Sequence, residues 1–373
     1  MKKLITVFIS TVILCNHSVK SQGCVAIRNL AGFGQFAALG YGQTPDTWSL
    51  DINNRYFSTN TVFFGKNNEG YDGINLYEYT INFGLMKILA HGWSLGLDMP
   101  IAANSGTLNM NAQGGRHHMR GFGVGDIRLT AYKWVFDENV RRKGNIQVGL
   151  GIKFPTGNYH SEDYWYYSEN PSVKSLQPLP EALQFGDGGT GITTAINAFY
   201  IFNRNISVFG NFFYLINPMN TNGVLAFPAG VLPPSADSLN AATTNNVNSV
   251  PDVYTLRVGA NYTFDRLVAT VGLRFEGSPA HDLFGDNDGL RRVGYIFSIE
   301  PGLQYKFQKS KSRSLQTGLI ANNRYVRTAS VLTAHGGVRS RTQQARGSTC
   351  GGSLQSSHQC LVYFHVVESA IQA

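Results

Sequence analysis

Large apolar residues alternate with small or polar ones along Trp93-Ser-Leu-Gly-Leu-Asp-Met-Pro-Ile-Ala102. On an extended chain Trp93, Leu95, Leu97, Met99 and Ile101 share one face, and Ser94, Gly96, Asp98, Pro100 and Ala102 share the other. A period of two held over ten residues is about twice the usual soluble strand and about what a tilted strand needs to cross a bilayer. The same scheme recurs. Trp48, Leu50, Ile52 and Asn54 interleave with Ser49, Asp51, Asn53 and Arg55, and Tyr77, Tyr79, Ile81, Phe83 and Leu85 interleave with Glu78, Thr80, Asn82 and Gly84. Further strands are predicted at 127–136, 146–154, 191–200, 206–216, 254–264, 267–275 and 295–307, ten in all, with an indistinct eleventh leading toward Leu315.

The connections also alternate. Short ones lie near His91, Glu138, Arg204, Asp265 and Ser310, and long ones cover roughly 58–76, 103–125, 156–190, 217–252 and 277–293. Short turns at one end and long loops at the other are how outer-membrane barrels are built. A lipocalin-like barrel or a sandwich would alternate as well, with its apolar face turned inward. Three features favour lipid outside: the strand length, aromatics such as Trp93, Tyr200, Tyr262 and Tyr305 near strand ends, and the N-terminus. There Lys2 and Lys3 precede an apolar run from Leu4 to Cys15 and then polar residues, the layout of a secretory signal peptide over residues 1–22. Residues 23–47 read as a periplasmic lead-in or short plug, and 48–320 as the barrel. The fold class is therefore all-β: an antiparallel, up-and-down transmembrane barrel in the outer membrane, in contact with its lipid and inserted by its assembly machinery.

Composition agrees: 41 Gly, 18 Tyr and 23 Phe with 14% charged residues suit strands and turns better than helices. A mean hydropathy of −0.14 is no objection, because only alternate residues of a barrel wall face lipid. The net charge of +8 would suggest nucleic acid. From Gln308 onward, however, eight basic residues face one acid, a net of +7 that leaves +1 for everything before it, so no nucleic-acid partner is inferred. Cys350 and Cys360 are a lone distal pair rather than a disulfide framework.

Two motifs carry a family resemblance. Gly121-Phe-Gly-Val-Gly-Asp126, entering a strand, is followed one hairpin later by Gly151-Ile-Lys-Phe-Pro-Thr-Gly157. Together they resemble the outer-membrane family labelled for the MetA pathway of phenol degradation, grouped loosely with long-chain fatty-acid transporters of the outer membrane. The resemblance extends from about Trp48 to Phe307. It implies a barrel of about twelve strands and a role in uptake of small, often hydrophobic or aromatic, solutes. After Leu319 the chain departs from the pattern: Arg, Ser, His and Cys appear without a period of two, and a terminal Phe or Trp is missing. Residues 321–373 are accordingly expected to be an atypical basic tail, frame-shifted or disordered, that leaves the barrel poorly closed.

The face assigned to the lumen carries Asp51, Glu78, Asp98, Asp126, Glu276 and Glu300 against Arg55, Arg128, Lys153, Arg257, Arg274 and Lys306. Six of each sign point to pairing, because charges inside a narrow barrel are costly unless paired or hydrated. The same residues would line a polar path for a solute. Tyr159, Tyr164, Trp165, Tyr166 and Tyr167 form an aromatic cluster in a long loop, able to stack on a ligand or to cap the barrel. His117, His118, His160, Glu162 and Asp163 lack metal-site spacing, and Asp286-Asn-Asp-Gly289 lacks the distal Glu of a calcium loop. No Ser-His-Asp spacing, phosphate loop or Cys-x-x-Cys is present. The reading is a channel or transporter without catalytic, metal or cofactor residues. A structural or adhesive barrel is the second reading, and an outer-membrane hydrolase has less support.

Overall fold

The computed structural model describes residues 45–59, 63–64, 67–68, 75–107, 118–137, 143–166, 172–226, 246–286, 288–289, 294–306, 313–323 and 361–369. The signal-peptide reading, and the lead-in up to residue 44, lie outside the described residues. Twelve strands form one closed antiparallel ring: β1 (Trp48–Thr59), β2 (Asn75–Ile88), β3 (Trp93–Thr107), β4 in two parts (Met119–Val124 and Ile127–Trp134), β5 (Gly144–Phe154), β6 (Gly191–Ile201), β7 (Ile206–Ile216), β8 (Val253–Phe264), β9 (Leu267–Ser278), β10 (Gly294–Lys306), β11 (Arg313–Asn323) and β12 (Leu361–Ser369). Each strand pairs with the next in sequence, and β12 returns to pair with β1 from Ser49↔Ser369 to Tyr56↔Val362. The ring is thus closed between its first and last strands, which is what a β structure in lipid requires.

The seam draws on residues from the expected tail. β11 runs on to Asn323, and Leu361–Ser369 supplies the twelfth strand, between β11 and β1. The barrel therefore extends past the predicted boundary at residue 320 to Ser369. The reason is chemical. Leu361-Val-Tyr-Phe-His-Val-Val-Glu-Ser is dense in β-branched and aromatic residues that favour extended backbone even where polar and apolar positions do not alternate. Residues 324–360 and 370–373 lie outside the described residues.

Along the strands the alternation has the predicted sense. Leu95, Leu97, Leu129, Val148, Ile152 and Leu256 are exposed on the outer wall, whereas Ser94, Thr130, Gln147, Asn82 and Thr255 are buried inside. At the short-turn end the belt closes with aromatics: Lys133 lies over the ring of Trp93 at 5.3 Å, Lys87 over Trp48 at 4.9 Å, and Tyr200 meets Phe202 edge-on at 5.0 Å. An amphipathic girdle of this kind sits at the headgroup level. No helix among the described residues is long and apolar enough to cross a membrane, and the strands make the crossing. The chain is an outer-membrane β-barrel.

Inside, polar side chains bond across neighbouring strands. Asn197 donates to Gln147 at 3.0 Å, Asn211 donates to Asn197 at 2.9 Å, and Thr270 donates to Asn261 at 2.7 Å. The row Gln147↔Asn197↔Asn211 follows the strand register of β5, β6 and β7. A small apolar core, Leu76, Met119, Trp165, Leu179 and Leu183, lies at the long-loop end.

Candidate functional site

β4 breaks at Gly125–Asp126, and the two sequence motifs meet there. The Thr156 hydroxyl accepts from the Ile127 N–H at 2.9 Å and donates to the Gly125 carbonyl at 3.0 Å. Asp126 accepts from the Gly157 N–H at 2.9 Å and from the Asp187 N–H at 3.3 Å. Lys153, rising from β5, pairs with Asp126 at 3.6 Å and also with Asp187. The strand break and the Lys-x-Pro-Thr-Gly turn are thereby one anchor, and what they hold is the loop over residues 179–189.

That loop folds into the mouth of the barrel. A short 3-10 turn, Glu181–Leu183, buries Leu183. Asn104 of β3 donates to the Leu183 carbonyl at 3.2 Å, and the Gln184 side chain bonds both Ser161 backbone groups at 3.0 Å. Phe185 lies against Gly121 and Gly123 of β4, where an added Cβ would fall 2.6 and 2.9 Å from its ring. The next contact is closer: a Cβ on Gly186 would sit 2.5 Å from the Gly157 carbonyl oxygen and 2.7 Å from Asp126. Gly186→Ala is therefore expected to lift the loop at a cost of about 1 to 3 kcal/mol. Limited proteolysis within 179–189 measures this, and an unchanged cleavage rate would contradict the close approach.

A second knot ties another part of the same long-loop rim. Asp252 is fully buried and accepts from the Asn217 N–H at 2.7 Å, the Tyr214 hydroxyl at 2.9 Å and the Leu283 N–H at 2.9 Å. Its own N–H donates to Asp282 at 2.8 Å, and Ser278 donates to its carbonyl at 2.9 Å. Asp252→Ala strands three donors, each worth about 1 to 3 kcal/mol when left buried and unpaired. The loop at 279–286 is expected to become protease-sensitive while the heat-resistant barrel persists.

Between the two knots lies a lumenal cavity of about 140 Å³, part of it open to solvent. Its apolar walls include Phe185, Phe213, Leu215, Val253 and Ile296, and its charged lining includes Asp126, Arg128, Lys153, Glu181, Asp187 and Glu276. Around it charged side chains meet: Arg257 donates through Nε and Nη2 to Glu300 at 2.9 and 2.7 Å, Arg274 reaches Glu300 at 3.4 Å and also pairs with Glu276, and Arg128 lies 3.6 Å from Asp98.

Of the residues assigned to the lumen from sequence, Glu78, Asp126, Arg128, Lys153, Arg257, Arg274 and Glu300 are buried. Asp51, Arg55, Asp98 and Glu276 are half-buried. Lys306 ends β10 with its side chain outside the described set. The cavity brings together Asp126, Arg128, Lys153 and Glu276, and does not include Asp51, Arg55, Glu78 or Asp98. The aromatic cluster does not line it. Trp165 is buried under the hairpin Glu162–Tyr166 with Lys174–Pro178 and donates to the Pro178 carbonyl at 3.0 Å. Tyr164 and Tyr166 lie under Lys174, and Tyr159 meets His160 at a tilt, ring centres 4.1 Å apart. These rings cap the rim. Tyr167 and His117 lie outside the described residues. Among the described residues no group of three or more His, Cys, Asp or Glu stands ready to hold a metal. Asp187, Phe185, Asn217 and Asp252 were missed in the sequence because they fall in long loops. Their signal is local: Gly186-Asp-Gly-Gly189 and Pro251-Asp252 put an acid beside residues that force a turn.

No protein-family profile matches the sequence, and no curated protein matches it either. Among solved structures the chain is similar to an outer-membrane channel from Pseudomonas putida, with 12% identity, a TM-score of 0.59, and coverage of 91% of this chain and 100% of the other. It is more distantly similar to the β-domain of a Bordetella autotransporter, with 8% identity, a TM-score of 0.43, and coverage of 86% and 98%. A third, the monoaromatic hydrocarbon channel CymD, has 10% identity, a TM-score of 0.39, and coverage of 95% and 97%. At these identities the likeness is one of fold, that of an outer-membrane β-barrel.

Proposed function

We propose that this barrel is a passage for small solutes across the outer membrane, and that solutes with apolar or aromatic bodies suit it best. The observation that carries the reading is the cavity beneath the 179–189 loop, where apolar walls alternate with paired charges instead of being packed shut. A barrel that served only as a scaffold gains nothing from an unfilled chamber, since packing its lumen would stabilise it. Pockets that orient small ligands combine mostly apolar walls with a few placed polar groups. The Pseudomonas putida barrel of the same fold is described as a channel, which supports the same reading.

The test is electrical. Purified protein in a planar bilayer is expected to give discrete conductance steps, and Gly186→Ala, by lifting the loop from the mouth, is expected to raise the step size. A correctly folded barrel that passes neither ions nor small sugars would overturn the proposal in favour of a structural or adhesive role.

A further inference from the structure

We infer that the cavity binds a neutral solute with an apolar body and a single hydrogen-bond acceptor oxygen, a small aromatic ketone in type, and that Arg128 grips that oxygen. The inference rests on the passage reading and names the solute class. Arg128 rises from β4 into the cavity, 5% exposed, with its guanidinium 5.1 Å from the centre of the Phe213 ring. Its ion pair with Asp98 spans 3.6 Å between Nη2 and Oδ2, too long for a hydrogen bond. Its Nε is buried and has no hydrogen-bond partner. The guanidinium lines the cavity with at least one donor that the protein does not fill and with Nη2 only loosely paired, and a ligand oxygen in the cavity can accept from it.

Charge selects the kind of oxygen. The carboxylates of Asp126, Glu181, Asp187 and Glu276 line the cavity against the bases Arg128 and Lys153. Lys153 is engaged by Asp126 and Asp187, and Asp98 stands beside Arg128 itself. A carboxylate ligand entering here adds a negative charge where acids already outnumber bases, in surroundings with little water to screen it. A cation would meet Arg128 at the point where contacts are unfilled. A neutral carbonyl avoids both penalties: it accepts from the guanidinium, while Phe213, Leu215, Phe185 and Ile296 take up a ring.

The experiment uses acetophenone, toluene and benzoate, each fluorinated on the ring, titrated into the full-length protein in detergent and followed by fluorine NMR. The ketone is expected to bind about tenfold more tightly than toluene, the size of one hydrogen bond to a charged donor, with benzoate weaker than the ketone. Arg128→Met is expected to erase the preference of ketone over toluene. Because that change strands Asp98, the paired variant Arg128→Met with Asp98→Asn is measured beside it, and heat-modifiable migration confirms that each barrel is folded. Micelle partitioning differs between the ligands, so each affinity is referred to the free concentration measured in protein-free micelles; between native and variant protein it cancels. Equal binding of ketone and toluene by the native protein overturns the inference. Benzoate binding more tightly than the ketone does so too, as does a preference that survives in the folded variants. Conductance of the native protein separates this from the passage reading. Conductance without ketone preference removes the Arg128 site alone, and ketone preference without conductance keeps the site and removes the passage.

Discussion

Replacing Glu300 by alanine is expected to cost the barrel about 3 to 5 kcal/mol, the range for breaking a buried ion pair from one side. Glu300 is 1% exposed and holds two guanidiniums: Arg257 through Nε and Nη2 on one oxygen, and Arg274 on the other. Without the carboxylate, two buried cations face each other on adjacent strands, since Arg257 and Arg274 are direct partners in the β8–β9 register. Glu276 pairs with Arg274. Glu300→Gln keeps an acceptor and gives up the charge, so it should lose less than the alanine variant. Unfolding by urea in lipid vesicles, read from the heat-shifted gel band, gives both numbers. If Glu300→Ala unfolds at the native midpoint, the network is decoration rather than structure.

The second large effect lies on the other face of the wall. Leu97→Arg is expected to cost about 2 to 4 kcal/mol, because an outward arginine near the bilayer midplane must drag water or headgroups to itself. Leu97 is 40% exposed and flanked across the strands by Leu85 and Leu129, an unbroken apolar row. Asn82→Arg, on the neighbouring strand, is the control. Asn82 faces the lumen at 7% exposure, near Asp98 and Asp51, where a guanidinium can find a carboxylate. Assembly yield in outer-membrane fractions should drop sharply for Leu97→Arg and mildly for Asn82→Arg. Similar yields would mean that the inside and outside of the wall have been exchanged.

Both predictions follow from a period of two that is plain in the sequence. β7, predicted at 206–216, is observed at Ile206–Ile216, and the lumenal charges fall on the inner face as the alternation dictates. A strand with lipid on one side and polar side chains on the other has its faces fixed residue by residue. The closing strand escaped because it shows no such alternation: Leu361, Val362, Tyr363 and Phe364 are four strand-forming residues in a row. The site was half legible. Lys153 and Arg128 lie on strands, and Asp126 in the two-residue break of β4, so spacing gives their direction. Their partner Asp187 lies on a loop, where spacing gives none, and its approach depends on Gly157 and Gly186 touching backbone to backbone.

The seam between β12 and β1 has a kinetic consequence. Every other junction of the ring joins strands adjacent in sequence, whereas Ser49 must find Ser369 at a separation of 320 positions (369 − 49). Closing so long a loop, compared with a five-residue hairpin turn, carries an extra chain-entropy cost of about 4 kcal/mol. Pairings of such high contact order form slowly. The hairpins can zip early, and the ring then waits as an open sheet whose two edge strands still lack partners. That waiting state is where the barrel is most exposed to proteolysis and to pairing with another copy of itself. A substitution that weakens β12 should therefore lengthen the life of the open sheet far more than it changes the finished wall, and the difference should appear in refolding rates before it appears in melting temperature.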